Sequence, residues 1–100
     1  MQGHRVATVD ELKQPGDFCF WHIAEDGQSA FMAFKCPCGA DQCRKRTHDS
    51  IPVRVGAPQP DQHNWGWDGN LDAPTLTPSI HRTGDCGWHG HLQAGMWRSV

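Results

Sequence analysis

Phe18-Cys19-Phe20-Trp21-His22-Ile23 is apolar or aromatic at odd and even positions alike, and after Glu25-Asp26-Gly27-Gln28 the chain resumes with Ala30-Phe31-Met32-Ala33-Phe34-Lys35. Apolar side chains on both parities suit a strand covered on both faces. Asp26-Gly27 supplies the left-handed backbone that a tight hairpin needs. The two runs therefore read as a hairpin, and the fold is built outward from it. Upstream, Thr8 to Gln14 carries Asp10 and Glu11 beside Val9 and Leu12, and Thr8 is placed to cap a short helical turn that Pro15-Gly16-Asp17 ends.

Downstream, Ile51-Pro52-Val53-Arg54-Val55 alternates as a strand does, with Pro52 acceptable at an edge or a strand start. Trp65-Gly66-Trp67 sets two indoles on one strand face, and Asp68-Gly69-Asn70 is turn chemistry. A further strand is expected from Thr75 to His81, interrupted at Pro78. Trp88 to Gln93 and Met96 to Ser99 flank Ala94-Gly95 as a last hairpin. Helical periodicity is nearly absent and turn signals recur about every eight to twelve residues, so the expected fold is mainly β: an antiparallel meander, sandwich or partial barrel. With 100 residues, a split would leave two pieces too small for cores of their own, and residues 1–100 are read as one domain.

Composition narrows the chemistry. Hydrophobic residues make up 37% without any run long enough for a membrane helix, and Met1 to Val9 lacks a secretory pattern, so a cytoplasmic location and no membrane partner are expected. The formal charge is −2, with nine Lys plus Arg against eleven Asp plus Glu, which gives no general footprint for nucleic acid. Five cysteines in a chain with no export signal point to metal ligation rather than disulfides.

Cys36-Pro37-Cys38-Gly39 puts two thiols at i and i+2, on the same side of an extended segment, and Gly39 lets the backbone bend so that an amide can face a thiolate. Cys86-Gly87-Trp88-His89 offers a second pair at i and i+3. Two such pairs make a tetrahedral zinc site of Cys36, Cys38, Cys86 and His89. Cys43 is the competing ligand, and an all-thiolate site with Cys43 would leave His89 free. The Cys-x-x-His spacing favours His89. Such a shell has no open position for water, so the zinc is expected to be structural. His81 and His91 flank the ligand pair and are candidates to orient it or to hold a second ion.

Those same residues, together with Trp65-Gly66-Trp67-Asp68-Gly69-Asn70 and Ala73-Pro74-Thr75-Leu76-Thr77-Pro78-Ser79-Ile80, resemble a family of small phage and bacterial proteins catalogued as a domain of unknown function. Some members carry an ammonia monooxygenase label. The resemblance spans about Phe18 to Trp97 and implies a small zinc-binding fold, frequent occurrence in phages or prophages, and Cys36, Cys38, Cys86 and His89 as the metal residues. Members commonly read Cys-x-Cys-Gly-Cys, whereas this chain reads Ala40-Asp41-Gln42-Cys43 after Gly39.

Other segments carry weaker signals. Arg44-Lys45-Arg46 is read as a solvated loop, the five tryptophans as core packing around the metal loop, and Asp68, Asp72 and Asp85 as turn residues. No Gly-rich phosphate loop, metalloprotease helix or nucleophile elbow is present. The leading expectation is a non-enzymatic zinc-binding module, a phage or prophage accessory protein that binds another protein. A small zinc-dependent hydrolase and a single-stranded nucleic-acid binder are the alternatives.

Overall fold

A computed structural model describes residues 1–40, 43, 48–58, 63–82 and 86–100. Nine strands follow in chain order among these residues: β1 (His4–Arg5), β2 (Asp17–Trp21), β3 (Ser29–Phe34), β4 (Asp49–Val55), β5 (Trp65–Trp67), β6 (Leu76–Thr77), β7 (Ile80–His81), β8 (His89–Gln93) and β9 (Met96–Ser99). The expected N-terminal helical turn is a single 3-10 turn at Val9–Glu11. The fold is mainly β, as the alternating and double-sided apolar runs require.

β1 to β6 form one six-stranded sheet in chain order, and β7, β8 and β9 form a second, three-stranded sheet. The hairpin that decides the fold is the β2–β3 pair, with Phe18 opposite Phe34 and Phe20 opposite Met32. Two pairings are parallel, β1 with β2 and β4 with β5, within a fold expected as an antiparallel meander, sandwich or partial barrel. The segment from Thr75 to His81 divides at Pro78, behind a cis Thr77–Pro78 peptide, and the two halves join different sheets.

Pro52 stands in β4, which has a strand on either side. The Val55 amide donates to the Gln28 carbonyl at 2.7 Å, so the alternation of an antiparallel ladder makes Pro52 and Phe31 a pair that exchanges no hydrogen bond. The Pro52 nitrogen thus faces away from β3, and the pairing of β4 with β5 begins only at Val53. Proline occupies a local edge within an interior strand.

The core lies between the two sheets. Phe18, Phe20, Met32, Phe34, Val53 and Trp67 from the large sheet meet Ile80, Leu92 and Trp97 from the small one. Phe20 stacks on Trp67 with centroids 5.0 Å apart, and Phe34 meets Trp97 at 5.3 Å. The Trp97 indole N–H is satisfied by the Gly16 carbonyl at 2.9 Å, which makes its burial affordable. Across the large sheet, Cys19 and Ala33 are covered by Leu12, with Val6 and Val9 beside them, which explains why β2 is apolar on both parities. The buried Asp17 carboxylate accepts from the Lys13 and Gln14 amides at 3.1 and 2.9 Å, closing the turn after the 3-10 segment.

Candidate functional site

Two groups of reactive side chains meet the segment that runs from Cys86 into β8. The first is a cluster of sulfurs. Cys36 and Cys38 follow shortly after β3, the Cys43 amide donates a hydrogen bond to the Ala40 carbonyl at 3.0 Å, and Cys86 arrives from the segment before β8. The sulfurs of Cys36, Cys38, Cys43 and Cys86 all lie within 4.8 Å of one another, and no disulfide joins them. The Cys36 and Cys86 sulfurs are 3.5 Å apart. A tetrahedral ion with metal–sulfur bonds of about 2.3 Å would hold its sulfurs roughly 3.8 Å apart, so the group fits a divalent ion such as zinc.

The surroundings act on the thiols in both directions. Gly39 has φ of +73°, and the Ala40 amide that follows donates to the Cys38 sulfur at 3.4 Å, as the Cys-Pro-Cys-Gly motif led one to expect. Burial raises the Cys36 thiol. Burial and the Cys38 and Cys86 thiols push Cys43 up to about 11. Burial also acts to raise Cys86, but the Trp88 amide and the three neighbouring thiols outweigh it and bring this thiol down to about 7. Cys19 sits apart, under Leu12.

The second group lies on the small sheet. Ser79, just before β7, places its Oγ 2.8 Å from His89 Nε2. Three contacts fix this pair. The Trp65 indole donates to the Ser79 carbonyl at 3.3 Å, the Arg82 amide donates to the Trp88 carbonyl at 2.8 Å, and the Val100 amide donates to the His89 carbonyl at 2.9 Å. His81 faces His89 across the β7–β8 ladder. The bonded Arg82–Trp88 pair beside them makes His81 and His89 a pair without hydrogen bonds, the kind whose side chains approach most closely. Their rings stack with centroids 4.5 Å apart.

Gly90 separates His89 from His91 for a steric reason. A Cβ there would strike the Arg98 carbonyl and lie 2.6 Å from the Trp88 indole. Trp88 therefore packs inward over Gly90 and against Trp97 at 5.8 Å, and the histidines on either side take the opposite face.

Of the residues expected to bind metal, Cys36, Cys38 and Cys86 come together, with Cys43 as the fourth member of the sulfur group. His89 is engaged with Ser79. Among the described residues no carboxylate bonds to His89. Asp68 accepts from the Asn70 and Thr75 amides and Asp72 pairs with Arg5, both structural roles as expected. Asp85 and Arg44-Lys45-Arg46 lie outside the described residues. Trp67 and Trp97 are core residues, Trp65 and Trp88 are half-buried, and Trp21 is exposed.

Ser79 was not singled out as a candidate, because a nucleophile was sought as an elbow between strand and helix. The signal that could have found it is the period-two series Ser79-x-His81 and His89-x-His91, which sets four polar groups on one face of a strand pair.

Residues 5–100 match the family described as bacterial ubiquitination-like system serine protease (BubE). The match spans nearly the whole chain, and the protein belongs to this family. No curated protein and no solved structure matches it. This membership overturns the expectation of a non-enzymatic zinc-binding module: the family is one of proteases, and the hydrolase alternative stands closer to it. The resemblance to a family of small bacterial proteins holds at that level. The error had a physical source, since the thiol pattern dominates the sequence and a closed metal shell argues against chemistry at the metal, while the Ser79–His89 contact comes from strand pairing that the sequence does not display. No helix among the described residues is long and apolar enough to cross a membrane.

Proposed function

From membership of this family we propose that the chain is a serine hydrolase that cleaves peptide or isopeptide bonds of a ubiquitin-like protein, with Ser79 as nucleophile and His89 as general base. The observation that carries this reading is the 2.8 Å contact between Ser79 Oγ and His89 Nε2. A serine hydroxyl is a weak nucleophile until a base within hydrogen-bond reach accepts its proton. Ser79 Oγ attacks the scissile carbonyl as its proton passes to His89 Nε2, and His89 then returns the proton to the leaving amine. Water, deprotonated by the same imidazole, releases the acyl group from Ser79. His81 restricts the His89 ring by stacking on its face, whereas the carboxylate of the usual triad bonds the ring edge at Nδ1. The protein partner expected from the sequence is, on this reading, the ubiquitin-like substrate.

The same reading assigns the metal to Cys36, Cys38, Cys43 and Cys86, with zinc as the ion and His89 left free to act as base. A four-sulfur shell would supply folding energy rather than an activated water, which separates this reading from a zinc hydrolase. Cys86 lies three residues before His89. The metal would thus hold in place the segment that presents the base.

A fluorophosphonate probe tests the assignment. Labelling is expected on Ser79, located by peptide mass spectrometry, and is expected to vanish in Ser79→Ala and to fall steeply in His89→Gln. Undiminished labelling of Ser79→Ala would overturn it.

A further inference from the structure

We infer that the outward face of β7–β9 holds a carboxylate of the substrate through Arg98 and His91, two to three residues along the substrate chain from the scissile bond. This rests on Ser79 being the nucleophile. Alternation along the three strands defines the face. Ile80, Arg82, Gly90, Leu92 and Trp97 are buried, whereas Ser79, His81, His89, His91 and Arg98 take the opposite parity and are exposed or half-exposed. The ladder pairings set Ile80 opposite Gly90 and His91 opposite Arg98. Continuing the first ladder by one residue brings Ser79 level with His91, so Ser79, His91 and Arg98 form one row across the sheet.

With strands about 4.8 Å apart, Arg98 lies roughly 10 Å from Ser79. An extended peptide covers that span in about three residues.

The charges on this face point to the ligand. β7, β8 and β9 contain no Asp or Glu. Arg5 is matched by Asp72 and Arg82 by Asp49. Arg98, by contrast, has no carboxylate partner among the described residues, and its guanidinium is charged at any working pH. A permanently charged fork beside an imidazole N–H, one strand beyond the nucleophile's own partner strand, complements a carboxylate. That group is supplied either by an acidic side chain or by a free chain terminus.

The mono-p-nitrophenyl ester of suberic acid, compared with its methyl-capped counterpart, places a carboxylate at about this distance from the reacting carbonyl. The protein is expected to prefer the free acid in kcat/KM, mainly through KM. Arg98→Ala is expected to cut that preference about tenfold or more. Arg98→Lys should restore part of it, and Arg98→Glu should invert it. Equal rates for the two esters, or a preference unchanged in Arg98→Ala, would overturn the inference while leaving Ser79 as nucleophile.

If Ser79→Ala hydrolyses both esters as well as the parent protein does, the assignment of the nucleophile falls. Binding then decides the carboxylate site alone. Suberate titrated into Ser79→Ala should shift the NMR signals of Arg98 Nε–H and His91 saturably, and no shift overturns the site. Peptide esters that carry either an internal Glu with an amidated end or neutral residues with a free end distinguish the two sources by which one loses more rate in Arg98→Ala.

Discussion

Cys86 and His89 are separated by two residues, yet they belong to clusters of opposite character. The sulfur group gathers four ligand atoms around one point, with Cys36 and Cys43 buried and Cys38 and Cys86 half-buried. The Ser79–His89 pair sits half-exposed on a sheet face, joined by the contact between Ser79 Oγ and His89 Nε2. Neighbours in sequence therefore need not share a task. A turn at Gly87, with φ of +75°, sends the sulfur one way and the imidazole another.

The sharpest way to break this contrast is to remove each cluster in turn. Ser79→Ala should lower kcat for a peptide or ester substrate by on the order of 10³-fold or more, with a melting temperature within a degree or two of the parent protein. An equal loss in stability would mean that Ser79 serves the fold.

Cys86→Ser, or a strong chelator, should cost several kcal/mol of stability, since metal binding is folding energy. Elemental analysis should show one zinc per chain lost with it, and Cys43→Ser should do the same. His89→Gln, in contrast, should keep its zinc while losing activity. A cobalt-substituted protein whose charge-transfer bands match four sulfurs would agree, and bands of three sulfurs and one nitrogen would return His89 to the metal.

Smaller effects are expected away from both clusters. Phe20→Ala removes the ring stacked on Trp67 and should destabilise by about 3–5 kcal/mol in chemical denaturation, without changing zinc content. Asp17→Asn keeps the shape but weakens the acceptor for the Lys13 and Gln14 amides, for a loss of about 1–2 kcal/mol. A fall in activity larger than the fall in folded fraction, for either variant, would show that the core and the Ser79 face are coupled.

The sequence made the local β structure legible where the patterns were strong. The β2–β3 hairpin, β5 and β9 are where the aromatic runs and the Asp-Gly and Ala-Gly turns put them. β1 was missed, because a strand of two exposed residues has no apolar pattern, and its parallel partner is set by the long-range bond from Val6 to the Phe18 carbonyl. The division of the Thr75 to His81 segment between two sheets was not legible either, since Pro78 marks a break but not a destination.

At the site, three of the four clustered thiols were read from spacing alone. Cys43 was set behind His89 because its five-residue interval from Cys38 looked less like a ligand pair, yet a loop can close on a point from many spacings. Ser79 stayed hidden because its partner is ten residues away on the neighbouring strand, and register, which brings them together, is a property of paired strands rather than of either one.

The chain's first and last segments are bound to each other: Gly3 donates to the Gly95 carbonyl and Trp97 to the Met1 carbonyl, each at 2.8 Å. The segment around Gly3 and the strand β9, distant in sequence, therefore hold each other, and that same strand completes the sheet whose outer face carries Ser79 and His89. Loosening either segment would loosen the sheet on which Ser79 and His89 meet.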